Sequence, residues 1–220
     1  MTNSDRFEVA PPPPAPREFQ QARAKKTYEN ILQAAAELYS ERGFHAVQTP
    51  DIAKRAGISV GGLYRYFKDK HQIFAELVHR ILERNRLEQV QMMSELECQF
   101  VEEGTDLHDI AERLINWTWD ALRDAPPDLL RTLEAMRHED TKFGLLCDQY
   151  DRYERHLLAR TLTKVTSRDV IPSPLAAARV LDLIIPTVAL WAKLHPSDSR
   201  GVKNATLDMV VRYLAGAQKF

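Results

Sequence analysis

The sequence predicts an all-α fold of about nine helices, on three observations. Apolar residues recur at spacings of three and four along most of the chain. No segment alternates polar and apolar residues as a half-buried strand does. Clusters of glycine, proline and small polar residues interrupt the helical pattern at intervals, as at Gly104-Thr105-Asp106, Ala125-Pro126-Pro127, Ile171-Pro172-Ser173-Pro174 and His195-Pro196-Ser197-Asp198. With 220 residues, 44% of them hydrophobic, the chain can bury a sizeable core, and it contains no internal repeat.

The elements follow in order. Residues 1–17 hold five of the 12 prolines, including Pro11-Pro12-Pro13-Pro14, and read as an extended tail. From Ala22, the residues Ile31, Leu32, Ala35, Leu38 and Tyr39 form the apolar stripe of a five-turn helix that Gly43 stops. Thr49-Pro50-Asp51 reads as a helix start with a capping hydroxyl and a proline at the first helical position, and Gly57 ends that helix after two turns. Ser59 is placed to cap a third short helix, Val60 to Phe67. Asp69 begins a long fourth one whose Ile73, Phe74, Leu77, Val78, Ile81 and Leu82 keep the helical period into the nineties. Further helices are expected over Leu107 to Arg123, Pro127 to Glu139, Phe143 to Val165, Pro174 to Leu194 and Val202 to Ala217. The expected division is a tail (1–17), a short-helix domain (18–70) and a long-helix bundle (71–220).

Composition excludes several classes. Thirty Lys and Arg against 31 Asp and Glu rule out a histone-like coat held by bulk positive charge. Two cysteines, Cys98 and Cys147, are too few and too far apart for a disulfide framework or a metal knuckle, so both are expected to be core thiols in a reducing compartment. The start has no secretory pattern and no run reaches about 20 uninterrupted apolar residues, so a cytoplasmic protein with no membrane partner is expected. The seven histidines are dispersed, and there is neither a phosphate loop nor a nucleophile elbow. No catalytic residue, metal ligand or cofactor is therefore assigned. His138-Glu139-Asp140 is the nearest approach to a ligand cluster, but adjacent helical residues point in different directions.

Thr49 to Lys70 is the informative segment. Two short helices joined by Ala56-Gly57-Ile58-Ser59 have the spacing of a helix-turn-helix, whose second helix lies in the major groove of DNA. In that second helix Leu63 and Phe67 form an inward pair, leaving Gly61, Gly62, Tyr64, Arg65 and Tyr66 outward. Two glycines inside a helix cost about 1 kcal/mol each relative to alanine, a cost that a bare backbone approaching DNA explains. The tyrosines offer hydroxyls to phosphates and ring faces to thymine methyls, and Arg65 can reach a guanine edge or a phosphate.

These residues, with Ile31-Leu32-Gln33-Ala34-Ala35-Ala36-Glu37-Leu38-Tyr39, Arg42-Gly43-Phe44 and Ile52-Ala53, resemble the tetracycline-repressor (TetR) family of bacterial transcription regulators over about fifty positions. The resemblance implies phosphate contacts from Thr49, Ser59, Tyr64, Tyr66 and Lys70 and base-edge approach around Val60, Gly61 and Gly62. At Pro50, where some members send a side chain to a base, proline cannot. It further implies a homodimer on a palindromic double-stranded DNA operator, released by a small-molecule effector, with repression the commoner output. An activator of the same architecture and a non-catalytic helical ligand- or partner-binding protein are the alternatives.

Regional charge fits this division. Arg17 to Lys70 carries 10 basic residues against 6 acidic, whereas His71 to Phe220 carries 19 against 23. In the C-terminal bundle, where the resemblance implies a ligand cavity, the candidate lining is Trp117, Trp119, Met136, His138, Tyr150, Tyr153 and Trp191, a mixture suited to an apolar or aromatic molecule. Leu175 to Leu194 is apolar on more than one face, so a second chain is expected to cover part of it. The expected dimer residues are Val180, Leu183, Ile184 and Thr187 there and Leu207, Val211 and Leu214 in the last helix.

Overall fold

The computed structural model describes residues 12–13, 22–103, 106–123, 127–166 and 169–216, and among these every regular element is a helix. Apart from Pro12 and Pro13, the expected tail lies outside the described residues. In order the helices are α1 (Ala22–Arg42), α2 (Thr49–Arg55), α3 (Val60–Tyr64), α4 (Lys70–Glu103), α5 (Leu107–Arg123), α6 (Pro127–Glu139), α7 (Thr141–Val165), α8 (Pro174–Leu194) and α9 (Ser199–Ala215). The chain packs as two compact units. One comprises Pro13–Arg84 with Ala125–Asp148, the other Asn85–Asp124 with Gln149–Phe220. The short-helix domain is thus part of a larger unit than residues 18–70, which also takes in the first turns of α4, all of α6 and the start of α7.

In the first unit the apolar stripe of α1 is buried at every expected position, from Ile31 to Tyr39. The helix ends on Gly43, whose φ of 76° suits a residue without a Cβ and whose N–H donates to the Tyr39 carbonyl at 3.0 Å. At the start of α2, Thr49 does not cap. Its side chain is buried, Gln48 is the flanking residue, and the Asp51 carboxylate accepts from the Gln48 N–H at 3.0 Å. A larger apolar core than the one α1 to α3 can build alone explains how three short helices hold together. Tyr28 stacks on Phe67 with ring centroids 4.9 Å apart, and Phe44 and Phe74 meet at 5.0 Å. Phe74 approaches Phe143 of α7 at 6.5 Å, and Met136 and Cys147 join the same core. Fully buried side chains such as Ile31, Ile52, Leu63 and Ile73 each contribute about 1.5–3 kcal/mol. Outside this core, Arg80 of α4 binds both carboxylate oxygens of Glu29 on α1, at 2.5 and 2.9 Å, which locks the start of α4 to α1.

The second unit has two apolar clusters. One joins Ile115 of α5, Ala159 and Leu162 of α7, Leu181 and Ile185 of α8 and Val210 and Leu214 of α9; the other joins Met93 and Leu96 of α4, Ile110 and Leu114 of α5 and Leu157 of α7. The largely buried Glu97 of α4 accepts from the Thr161 hydroxyl at 2.8 Å and pairs with Lys164. Burial pushes this carboxyl up, but the hydrogen bonds from Lys164 and Thr161 overcome that and hold it below the usual carboxylate range. Cys98 is exposed, contrary to the expectation that both cysteines are core thiols; Cys147 is buried. In length and composition α8 meets the test for a membrane span, with a mean hydropathy of 1.7 in its most apolar window, so it approaches that limit more closely than the uninterrupted-run count suggests. Arg179, Asp182 and Lys193 interrupt it, and its Ala177, Ala178, Leu181 and Ile185 are buried in the unit's core.

Candidate nucleic-acid interface

The turn between α2 and α3 closes through two backbone hydrogen bonds. The Ile58 N–H donates to the Ala53 carbonyl at 3.0 Å and the Gly57 N–H to that of Lys54 at 3.2 Å, with Gly57 at φ 70°. This is the Schellman arrangement, which needs a residue tolerant of positive φ at the position of Gly57. Ile58 packs against the core between the two helices. Ser59 then caps α3, its hydroxyl accepting from the Gly62 N–H at 3.0 Å. Leu63 and Phe67 are both buried, and this inward pair sets which face of α3 points out. The helix is shorter than expected. It ends at Tyr64, and the Tyr66 and Phe67 amides both turn back to the Leu63 carbonyl.

The outward face carries Val60, Gly61, Tyr64 and Arg65, all exposed, with 51% of Tyr64 accessible. The two glycines differ in what they do for the fold. A Cβ on Gly62 would stand 3.1 Å from the Ser59 hydroxyl, so Gly62 makes room for the cap. A Cβ on Gly61 would meet nothing within 4 Å. Among the described residues nothing requires a glycine at position 61.

Beside α3 opens a cleft of about 450 Å³, lined by Arg23, Ala24 and Thr27 of α1 together with Ile58, Gly62, Arg65 and Tyr66. Among the described residues no carboxylate lines it. Neither the Arg23 nor the Arg65 guanidinium makes an ion pair or side-chain hydrogen bond among the described residues, so two unneutralised cations face one recess. Tyr66, which also lines the cleft, is half-buried, its ring tilted against Tyr28 at 6.3 Å. Sequence spacing points to Arg65 and Tyr66 and carries no signal for Thr27. The α1 residues reach this surface through tertiary packing.

Two other cations of this unit, Arg55 and Lys70, are engaged within the protein. Arg55 pairs with Glu41 at 2.9 Å and Glu37 at 3.2 Å; its hydrogen bond holds the Glu41 carboxyl below the usual range, and the Gln33 amide, then Arg55, does the same for Glu37. Lys70, which the resemblance assigns to a phosphate, has its ammonium on three carbonyls of the α1–α2 loop, those of Phe44 at 3.1 Å, His45 at 3.3 Å and Val47 at 2.9 Å. The same ammonium lies 4.6 Å from the Phe44 ring centroid, and burial lowers its pKa. The Tyr39 hydroxyl donates to the Lys70 carbonyl at 3.1 Å. At this position the lysine fastens the loop that positions α2.

The residues assigned to a ligand do not gather in one place. Met136 is buried in the core of the first unit with Tyr39 and Phe74, and His138, in the same unit, is 77% exposed and 3.4 Å from Glu134. Trp117, Trp119, Tyr150, Tyr153 and Trp191 belong to the second unit. There Tyr150 is fully buried, Tyr153 lies under the Arg86 guanidinium at 5.3 Å, and Trp119 has the Lys203 ammonium at 5.8 Å. Trp191 is exposed on α8, stacked on His195 at 4.2 Å. Among the residues assigned to a dimer face, Val180, Leu183 and Thr187 are exposed on α8, with Leu183 64% accessible, and Ile184 is half-buried. Leu214 is fully buried and belongs to the core, which Leu207 and Val211 also flank. The exposed apolar residues of α9 are Met209 and Tyr213, displaced around the helix from those the apolar period suggested.

A Schellman turn, a serine-capped second helix and an outward face of glycine, tyrosine and arginine define a helix-turn-helix DNA-binding protein. Residues 31–77 match the profile of the bacterial regulatory proteins of the tetR family. The AcrR transcriptional regulator of Shigella flexneri is 28% identical over 167 residues, covering 71% of this chain and 72% of its own. The fatty acid metabolism regulator of Bacillus subtilis is 41% identical over 61 residues, 26% of this chain and 31% of that protein. The YdgC regulator of the same organism is 33% identical over 87 residues, 40% of this chain and 41% of its own length. The chain thus spans less than half of these last two relatives. In three dimensions, a TetR-family regulator from Mesorhizobium loti superposes with a TM-score of 0.68 at 22% identity, covering 89% of this chain and 98% of that one, a likeness of fold. Over residues 31–77 the chain is thus similar to the TetR family of bacterial regulatory proteins, and its fold is like that of a solved TetR-family regulator.

Proposed function

We propose that this regulator is a ligand-released repressor that grips a palindromic operator as a homodimer. The observation that carries the DNA-binding surface is Gly61, a helical glycine at a position where the fold has open space for a methyl group, on the same outward face as Tyr64 and Arg65. A backbone left bare toward solvent suits close approach to base edges. The cleft holding Arg23 and Arg65 suits a backbone phosphate, which fixes the register of the reading helix.

The homodimer reading is supported by the exposed stripe of α8, Val180, Leu183, Thr187, Trp191 and Leu194, whose spacings of three and four keep it on one side of the helix while the opposite side is buried. Such a stripe, with Met209 and Tyr213 of α9 also exposed, is more apolar surface than a solvated helix carries singly. Two reading heads would engage half-sites about 34–36 Å apart. Release would use α4, which runs without a break from Lys70 in the DNA-binding unit to Glu103 in the other. An effector binding more tightly to one placement of that helix shifts the spacing of the heads.

The test is a titration of the inverted repeat nearest the protein's own gene by fluorescence anisotropy, with sedimentation giving the stoichiometry. Two chains per site, with affinity falling steeply with salt, are expected, and Arg65→Ala should flatten the salt dependence by about one phosphate contact per reading head. One chain per site, or an unchanged slope in the variant, would contradict the reading.

A further inference from the structure

We propose that the reading helix selects thymine, through the C5-methyl groups that the side chains of Val60 and Tyr64 cover on either side of the bare backbone at Gly61. The inference rests on the reading of α2 and α3 as the DNA-binding head and names the base chemistry that this head takes.

Among the described residues the first unit leaves four large apolar side chains exposed, Val60, Tyr64, Ile81 and Leu145. Two of them, Val60 and Tyr64, stand four residues apart on α3, and at that spacing helical side chains are neighbours on one face. Neither serves the fold. Val60 does not belong to the apolar core that Ile58, Leu63 and Phe67 join, and a β-branched residue is a weaker helix former than alanine or leucine. Tyr64 makes no side-chain hydrogen bond among the described residues. Beside both, a Cβ at Gly61 would meet no protein atom within 4 Å, so the edge of a base can come close to the backbone there.

The groups that read other bases point elsewhere. Guanine is read by paired donors, most often those of arginine, and adenine by the amide of Asn or Gln. The outward face of α3 carries no amide, and Arg65, which follows the helix, lines the cleft together with Arg23 of α1. A recess faced by two guanidiniums from different helices suits a phosphate, whose oxygens accept from both, better than the edge of a single base. On α2, Pro50 has no donor, the Asp51 carboxylate accepts from the Gln48 N–H, and Arg55 is held by Glu37 and Glu41. Gln48 ahead of α2 and Lys54 in its last turn are exposed and have the chemistry to meet a purine, so the test includes purine analogues that report on them. What α3 itself offers the groove is hydrocarbon, an isopropyl group and a ring face. Thymine is the base that presents a methyl group in the major groove, and it is therefore the base this surface distinguishes.

The test uses the full chain, the inverted repeat nearest its own gene and fluorescence anisotropy at fixed salt. Each thymine is replaced in turn by deoxyuridine, which removes the methyl group and keeps the pairing. Each purine is replaced by its 7-deaza analogue, which removes the N7 acceptor. At the thymines under α3, deoxyuridine should weaken binding about fourfold per methyl group and about fifteenfold when both half-sites are changed, the worth of a buried methyl counted once and twice. The 7-deazapurines should cost less. Val60→Ala should remove the discrimination between thymine and uracil at one position and Tyr64→Ala at a neighbouring one, whereas Val60→Ile and Tyr64→Phe, which keep the apolar contact, should retain it. A cooperative thermal melt verifies that each variant is folded. Equal affinity for the thymine and uracil repeats, a larger loss from a 7-deazapurine than from deoxyuridine, or a methyl preference that survives both alanine variants would overturn the inference. With two chains still bound per repeat, those results would leave the DNA-binding reading in place. No binding to the unmodified repeat would overturn both.

Discussion

Replacing Gly61 with alanine separates what the fold needs from what DNA needs. The new methyl group would meet no protein atom within 4 Å, and Gly61 is not in the positive-φ region. Alanine should therefore stabilise the free protein, by up to about 1 kcal/mol through higher helix propensity and a less flexible unfolded chain. For a chain of this length that is a rise in melting temperature of roughly 2–4 °C. Against DNA the sign reverses. A methyl placed where backbone meets base edges costs about 1–3 kcal/mol, the penalty of overpacking a filled interface, and a dimer incurs it at both half-sites. Thermal melts monitored by circular dichroism and operator titrations at fixed salt give the two numbers on the same preparation. A variant that is more stable and binds the operator about tenfold or more weakly is the expected result. Unchanged operator affinity would refute the assignment of Gly61 to the DNA surface. Gly62→Ala is the contrast, because its methyl would crowd the Ser59 hydroxyl at 3.1 Å. Losing that cap costs about 1 kcal/mol, so stability and binding should fall together.

Three further outcomes follow from the geometry. Lys70→Met should lower stability by about 2 kcal/mol, since the three loop carbonyls lose a charged donor, and calorimetry should show the loss without DNA; an unchanged melt would show that the ammonium is free to leave the loop for a phosphate. Leu183→Glu places a charge on the exposed stripe of α8 and should give a folded monomer by sedimentation, with a weakened hold on the operator; a variant that remains dimeric would remove α8 from the interface. Because Glu154 is raised from 4.5 to about 8, its folded form keeps a proton that the unfolded chain releases. Its contribution is present in full below pH 4.5 and is lost as pH rises through about 8. The melting temperature of Glu154→Gln should therefore gain on that of the wild-type chain across this range and level off above it, and a difference independent of pH would contradict the buried carboxyl.

The parts of this protein legible in its sequence are those governed by local rules. The α1 stripe, the Gly57 turn, the Ser59 cap and the Leu63–Phe67 pair all depend on residues within one or two helical turns, and each stands where periodicity and glycine placement put it. What failed depends on which helices pack together. Met136 and His138 follow α5 in the chain, yet α6 packs in the core of the DNA-binding unit, and order along the sequence carries no signal for that. Leu214 keeps the apolar period of α9 but lies on its core side, and the period alone does not distinguish a core stripe from an exposed one. Lys70 is expected on a phosphate, and its three carbonyl partners carry no sequence signal because they lie more than twenty residues away. Thr27 joins the reading surface only because α1 crosses beside α3. Gln89 looks like an ordinary surface position on a long polar helix, and tertiary packing of α4 is what buries it.

Hydrogen–deuterium exchange of the full chain, alone and saturated with its operator, tests the central claim most directly. If α3 enters the major groove with the α1 cleft on a phosphate, new protection will appear in the amides of Gln48 to Phe67 and in the first turns of α1, and the operator will protect no other exposed helix as strongly. Protection centred elsewhere, with Val60 to Arg65 exchanging as fast as in the free protein, would contradict it.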